Sequence, residues 1–369
     1  MKPALVAVVN WPVAARYLSF ASPLASLFSR VSIGTQLSDF EAELSRCDGS
    51  PVVALVQASA SADVIKAFIE AGSRDGGVCA AQLAGSGSPA VSRLVWIHTL
   101  YAGLDWFHWE AAFLANYSHR LPPFSNARGV YSAMLAEHVL LSILYFNRQV
   151  TKLQQLRSGR VWNRFPSPCC DVQTVGIVGY GDIGRIVAQR VKGGLNVKRI
   201  MATKRSQPAS GEAMYVDDLG VHVLAGGDRS HLKQLVEQCD VIVAAMPKTP
   251  ETRHAIDQEC LDWIAAAGRR PIFVNIGRGS TVDEVALAAA LQGGGVFRGA
   301  AIDVFDVEPL PQDSPLWSVP DDRLLLTSHN ADISTTSEED AMEHFSALAS
   351  RVVEHGELPP YLVSLGRGY

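Results

Sequence analysis

Three ionisable residues in the second half of the chain, Arg278, Glu308 and His329, each stand at the end of a short apolar run that reads as a buried strand: 271–276, 300–305 and 324–329. Strand ends on one edge of a parallel sheet converge in space, so separation in sequence does not keep such residues apart. A guanidinium, a carboxylate and an imidazole gathered there suit hydride transfer to a 2-keto acid. Arg278 can grip a carboxylate through two N–H groups and polarise the adjacent carbonyl. His329 can give the carbonyl oxygen its proton and take it back in the reverse direction. Glu308 beside that imidazole favours its charged form. Taken singly each is an ordinary loop residue. Their succession at three strand ends is what points to chemistry.

The stretch 172–205 would position a cofactor beside them. A strand through Val175, Ile177 and Val178 feeds Gly179-Tyr180-Gly181-Asp182-Ile183-Gly184, then a helix over 183–191, then a second strand through Val197, Ile200, Met201 and Ala202. That is G-x-G-x-x-G in βαβ context. The first glycine permits the turn, the second admits a pyrophosphate to the backbone, and the third lets helix and strand pack closely. The second strand ends in Thr203-Lys204-Arg205, where a carboxylate would bind the 2′-hydroxyl of NAD. Arg offers planar donors to phosphate oxygens and Lys adds charge, so NADP(H) is the expected cofactor, with NAD(H) as the alternative.

Further apolar strands at 5–9, 52–56, 78–83, 94–98 and 240–246 alternate with helices, among them 62–71 and 282–291. Such alternation specifies an α/β fold with parallel sheets. Gly85-Ser86-Gly87-Ser88-Pro89 reads as a surface loop. The strand at 94–98 leads to Tyr101-Ala102-Gly103-Leu104-Asp105, whose small residues leave backbone N–H groups open to an anion; an ordinary turn is the competing reading. Residues 131–157 read as one long helix with a wide apolar stripe, in which Glu137 and His138 are structural. Pro247 and Thr249 through Thr252 follow the strand at 240–246 on the cofactor edge, and Gly277 precedes Arg278 there. A C-terminal helix is expected over 336–353.

The 369 residues exceed one ordinary core and suggest two domains. A net charge of −5 argues against nucleic acid as a partner. No apolar run is long enough to cross a membrane. The six cysteines, Cys47, Cys79, Cys169, Cys170, Cys239 and Cys260, show no metal-ligand spacing and fit reduced thiols in the cytoplasm. Leu5-Val6-Ala7-Val8-Val9 reads as a first strand, not as a signal peptide.

From Val175 to Ala331 the chain resembles the D-isomer-specific 2-hydroxyacid dehydrogenases. The likeness rests on the glycine fingerprint, Pro247-Lys248-Thr249-Pro250-Glu251-Thr252-Arg253, Asn275-Ile276-Gly277-Arg278-Gly279, Ile302-Asp303-Val304-Phe305 with Glu308-Pro309, and His329. It continues more weakly through Tyr101 to Asp105 and Ala136-Glu137-His138. The resemblance implies two Rossmann-like parallel-sheet domains, with a central nucleotide-binding domain inserted into a discontinuous substrate (lid) domain. The expected boundaries are 1–125 for the first part of the substrate domain, 126–331 for the NAD(P)-binding domain and 332–369 for a helix returning to the substrate domain. It implies the catalytic roles above for Arg278, Glu308 and His329, and substrate on Tyr101, Ala102 and Gly103. It places Asp303 near the nicotinamide amide, Ile276 along the cofactor, and a homodimer at the nucleotide domains. Glu308 speaks against the formate dehydrogenase branch, which carries Gln there.

Two departures stand out: Asn330-Ala331-Asp332 after the histidine, and Cys169-Cys170-Asp171 before the fingerprint. The expected activity is reduction of a small 2-keto acid, glyoxylate or hydroxypyruvate. The competing class is an NAD(P)H-sensing corepressor-like module with little turnover.

Overall fold

The computed structural model describes residues 2–19, 21–46, 50–57, 60–74, 93–104, 120–208 and 211–364. Cys47, Cys79, the strand expected at 78–83, the loop Gly85 to Pro89, and Asp105 lie outside the described residues. The chain forms two compact units, Met1–Val130 with Ser334–Tyr369, and Tyr131–Ile333.

The first unit is built on a parallel sheet of β1 (Ala4–Val8), β2 (Arg30–Gly34), β3 (Val52–Val56), β4 (Leu94–Thr99) and β5 (Phe124–Asn126), in the order β2-β1-β3-β4-β5. The strands β1 and β3 are apolar at every position because helices cover both faces. Alternate residues Leu5, Ala7, Val53, Leu55 and Trp96 pack with Ala341, Met342, Phe345 and Val352 of the helix Ser337–His355. The other set, Val6, Val8, Ala54 and Val56, meets Val64, Ile65, Phe68 and Ile69 of the helix Ser61–Arg74. Each such buried Val, Leu or Ile contributes about 1.5–3 kcal/mol relative to exposure. The edge strand β2, Arg-Val-Ser-Ile-Gly, is only half-buried, and its mixed composition hid it from the sequence reading.

The second unit holds eight strands: β6 (Thr174–Val178), β7 (Arg199–Lys204), β8 (Met214–Val216), β9 (His222–Ala225), β10 (Val241–Ala244), β11 (Ile272–Asn275), β12 (Gly299–Ile302) and β13 (Leu324–Leu326). Their order is β13-β12-β11-β10-β6-β7-β9-β8. All pairs are parallel except β8 with β9, an edge hairpin whose turn is set by Asp217 Oδ1 accepting from the Leu219 and Val221 N–H groups. The chain leaves β6 to one side through β7 and returns to the other through β10, so the sheet has its switch point at β6, where such sheets hold ligands. The strand ends are level. Val178 stands opposite Ala244, Ala244 opposite Asn275, Asn275 opposite Ile302, and Ile302 opposite Leu326.

The single helix expected over 131–157 is two helices, Ser132–Asn147 and Val150–Ser158, separated at Gln149 in the left-handed region (φ 51°). At the end of the first helix the fully buried Asn147 amide donates to Gln173 Oε1 (2.8 Å) and accepts from Arg298 Nη2 (2.7 Å). Apolar periodicity resumes after the break and so conceals it.

Candidate active site

Arg278, Glu308 and His329 all follow the level strand ends, on β11, β12 and β13. Glu308 Oε2 lies 2.7 Å from His329 Nδ1, and its Oε1 accepts the Phe305 N–H at 2.8 Å. An ionised carboxylate only accepts, so Nδ1 carries the hydrogen in this pair and Nε2 is the nitrogen that exchanges a proton. The bond to Glu308 raises the His329 pKa, against burial and with help from the charges of Glu308 and Asp332; Arg278 opposes it. Burial alone would push the Glu308 carboxyl up, but the bonds from His329 and Phe305 outweigh it and the net shift is down. The Arg278 guanidinium lies near enough to lower both.

The histidine is held in an unusual backbone conformation. His329 has φ 52°, a left-handed geometry that costs about 1–2 kcal/mol for a residue with a Cβ. Its N–H donates to the Asp303 carbonyl at 2.8 Å. The buried Asp303 carboxylate takes Thr327 Oγ1 (2.7 Å) and the Asn330 and Ala331 N–H groups (3.1 Å each). Asp303 thus organises the loop that carries His329. Arg278 has a similar support: its carbonyl accepts from Thr281 Oγ1 (2.6 Å) and Asn275 Nδ2 (3.2 Å), both buried side chains. The sequence reading gave no role to Asn275, Thr281 or Thr327. The one available signal was a polar residue closing the apolar run of β11.

The glycine fingerprint fits a dinucleotide. A Cβ on Gly179 (φ 100°) would lie 2.8 Å from the Ala245 carbonyl, and one on Gly184 2.5 Å from the Gly179 carbonyl, so both close approaches need glycine. Gly181 faces open space and caps the helix Asp182–Leu195 with no side chain, which leaves that helix terminus and its N–H groups for an anion. Asp182 accepts from Ser132 Oγ (2.6 Å), Ile183 is half-buried, and buried Tyr180 donates to Asp217 Oδ2 (2.6 Å). The Gly179 and Tyr180 N–H groups both donate to the Thr203 carbonyl, which brings Thr203, Lys204 and Arg205 beside the fingerprint. Arg205 is exposed and favours the charged form of Glu251. Thr252 Oγ1 donates to the Pro247 carbonyl (2.6 Å) and shapes the turn after β10. The Ile276 N–H donates to the Ala244 carbonyl, and a Cβ on Gly277 would lie 2.6 Å from the Met246 carbonyl.

Tyr101, Ala102 and Gly103 belong to the first unit. The Tyr101 hydroxyl accepts from Gln57 Nε2 (2.7 Å), and Gln57 Oε1 accepts the Asn10 N–H (2.9 Å), which joins the carboxyl ends of β4, β3 and β1. The Ala102 carbonyl is taken by Asn126 Nδ2 (2.7 Å) and the Tyr101 carbonyl by the Ala127 N–H (3.2 Å). The Tyr101 N–H donates to Thr99 Oγ1 (3.2 Å). Among the described residues there is no group of three or more His, Cys, Asp or Glu arranged to hold a metal.

The sequence model of the D-isomer specific 2-hydroxyacid dehydrogenase NAD binding domain matches residues 140–331. The chain belongs to that family. The matched stretch contains the fingerprint, Arg278, Glu308 and His329, whereas Tyr101, Ala102 and Gly103 lie outside it. Over 250 residues the chain is 34% identical to D-3-phosphoglycerate dehydrogenase of Mycobacterium tuberculosis, covering 67% of this chain and 42% of that protein. It therefore spans less than half of that dehydrogenase. It is 30% identical to glyoxylate/hydroxypyruvate reductase A of Salmonella heidelberg over 236 residues, 64% of this chain and 69% of that protein. A probable 2-hydroxyacid dehydrogenase of Rhizobium etli, solved with NADP, HEPES and L(+)-tartaric acid, superposes with a TM-score of 0.72 at 24% identity, covering 100% and 99% of the two chains. The NADPH-dependent glyoxylate/hydroxypyruvate reductase of Sinorhizobium meliloti, solved with NADP and sulfate, gives 0.69 at 22% identity with full coverage of both. At these identities the likeness is one of fold, shared by both units of this family member.

Proposed function

We propose that this family member is an oxidoreductase that reduces a small 2-keto acid, glyoxylate or hydroxypyruvate, with NADPH preferred over NADH. The observation that carries the reading is the 2.7 Å contact between His329 Nδ1 and Glu308 Oε2 on the edge that also bears Arg278. The nicotinamide, when bound, supplies the hydride or accepts it. Arg278 holds the substrate carboxylate, His329 Nε2 protonates the carbonyl oxygen, and Glu308 keeps the imidazole oriented and charged until the proton leaves. The fingerprint from Gly179 to Gly184, Pro247, Thr252, Ile276, Gly277 and Asp303 are proposed as cofactor residues, with Lys204 and Arg205 on a 2′-phosphate. Tyr101, Ala102 and Gly103 are proposed on the substrate carboxylate. The first unit then serves as the substrate domain and the second as the nucleotide domain.

The names of the Salmonella and Sinorhizobium relatives support the choice of acid. The name of the mycobacterial relative supports a different one, D-3-phosphoglycerate. Purified protein should oxidise NADPH with glyoxylate or hydroxypyruvate. No turnover of any small 2-keto acid with either cofactor defeats the reading, and turnover confined to D-3-phosphoglycerate reassigns the substrate.

We further propose a cytoplasmic homodimer. Cys239 and Cys260 are free buried thiols, pushed up to about 12 by burial. Among the described residues no helix is long and apolar enough to cross a membrane. Leu141, Leu144, Leu153, Val161 and Trp162 are large apolar residues left exposed in the second unit, Trp162 by 94%. That much apolar surface suits burial against a second copy.

A further inference from the structure

Glu308 does not stand on a free loop. The turn Phe305–Asp306 that precedes it is gripped at two successive amides by two different carboxylates. Glu308 Oε1 accepts the Phe305 N–H at 2.8 Å, and Glu284 Oε1 accepts the Asp306 N–H at 2.7 Å. The Asp306 side chain is clasped by Arg253 through both nitrogens, at 3.2 and 3.0 Å. Beneath the turn lies Gly279, the neighbour of Arg278, where a Cβ would come within 1.8 Å of the Phe305 carbonyl carbon. Arg278 and Glu308 are therefore set relative to each other by backbone lying directly on backbone, and the turn that transmits this contact is fixed by Glu284.

We propose that Glu284 is a positioning residue for the Glu308–His329 pair, holding the Phe305–Asp306 turn while placing a second carboxylate behind Glu308. This inference rests on the proposed reductase reading and deepens it. Glu284 opens the helix Glu284–Gln292, but Asp283 already caps that helix, accepting from the Val285 and Ala286 N–H groups. Glu284 is thereby released to reach across to Asp306. A purely structural acceptor at that place would be better as glutamine, which makes the same bond with no charge to bury. The carboxyl is instead half-buried and faces three others. Burial first, then Asp306, Glu308 and Asp283, push it above the usual carboxylate range, and only the Asp306 N–H pulls the other way. What a carboxylate adds over an amide is negative charge near Glu308.

The charged groups around the cluster fix the sign. His329 faces Glu308, Asp332 and Arg278; Asp306 faces Arg253, Lys248 and His254. Glu284 faces Asp306, Glu308 and Asp283, not His329 itself. By Coulomb's law, removing a negative charge from beside the Glu308–His329 pair still disfavours the imidazolium, so the proton leaves His329 at lower pH.

The test uses full-length Glu284→Gln and Glu284→Ala. Glu284→Gln should melt at the temperature of the unsubstituted protein or above it, while the alkaline limb of kcat/KM for keto-acid reduction moves to lower pH. On that limb its rate should be roughly threefold below the unsubstituted protein, since one pH unit is worth tenfold. Glu284→Ala leaves the Asp306 N–H without its acceptor and should lose roughly tenfold or more in kcat with the KM for NADPH unchanged. The His329 imidazole titration, followed by NMR, should shift to lower pH in Glu284→Gln. That measurement needs no turnover, so it decides the inference even if no keto acid is a substrate. Superimposable pH profiles and an unmoved His329 titration in Glu284→Gln overturn the proposal, as does unsubstituted kcat in Glu284→Ala.

Discussion

The backbone carbonyl of Asp303 accepts the His329 N–H at 2.8 Å, and the carboxylate of the same residue takes the two N–H groups that follow, of Asn330 and Ala331. One residue at the end of β12 therefore holds three consecutive amides of the loop beyond β13, with His329 first among them. In Asp303→Asn the Nδ2 group would turn a donor toward an amide N–H. Leaving a buried donor without an acceptor costs about 1–3 kcal/mol. We expect a lower melting temperature and a loss of roughly ten- to a hundredfold in kcat, measured by thermal denaturation and steady-state kinetics. Unsubstituted kinetics in this variant would mean that the His329 loop keeps its place unaided.

The Glu308–His329 pair makes the pH dependence directional. His329 is raised in the folded protein, so the pair's stabilisation is fully present below the ordinary histidine value of 6.5 and is lost as pH rises through the raised one. Glu308 is lowered, so its share is present above the ordinary 4.5 and is lost as pH falls through the lowered one. Reduction needs the imidazolium and should decline on the alkaline side, whereas oxidation of the hydroxy acid should rise there. Glu308→Gln removes the charge and should move both limbs to lower pH. Profiles of kcat/KM in the two directions measure this, and limbs that stay in place after the substitution refute the coupling.

On the proposed reading, Arg205 sets the cofactor preference. A charge-assisted contact to a 2′-phosphate is worth about 1.5–3 kcal/mol, so Arg205→Ala should raise the KM for NADPH by roughly ten- to a hundredfold and hardly alter that for NADH. Equal losses with both cofactors would show that the cation serves something other than the phosphate.

How much of this could be read from the sequence depends on the kind of residue. Arg278, Glu308 and His329 were legible because each ends an apolar run, and the level register of β10, β11, β12 and β13 turns that shared property into shared place. The run at 324–329 gives β13 only over Leu324–Leu326, since the Thr327 hydroxyl and the His329 N–H go to Asp303 and not to a further length of ladder. Glu284 and Thr281 were illegible. They act by accepting or donating one bond at a turn, which leaves no period and no composition signal. The break at Gln149 was hidden because the apolar pattern continues on both sides of it.

The exposed apolar residues of the second unit predict an association state. Trp162, 94% exposed, and Leu141, 54% exposed, would each bury apolar area in a homodimer. Leu141→Glu together with Trp162→Ala should give a monomer by size-exclusion chromatography with light scattering, while the melting behaviour of the nucleotide unit persists. An unsubstituted protein that is already monomeric at micromolar concentration removes the basis for the dimer.

The first unit should be sensitive to acid through His98. This residue is fully buried on β4, with its Nδ1 2.8 Å from Ser125 Oγ. Ser125 Oγ also accepts from Trp96 Nε1 at 2.9 Å, and His98 Nε2 has no partner among the described residues. Burial, and then the charge of His344 from the helix Ser337–His355, hold its pKa well below the ordinary 6.5. The unfolded chain consequently binds a proton that the folded one refuses. Stability must fall as pH drops below 6.5, and should be flat above it as far as this group is concerned. His98→Gln can keep an acceptor for Ser125 and cannot charge, so the melting temperature of that variant should depend less steeply on pH between about 6.5 and 5. Calorimetry across that range tests it. Equal slopes in the two proteins would place the acid sensitivity of the first unit elsewhere.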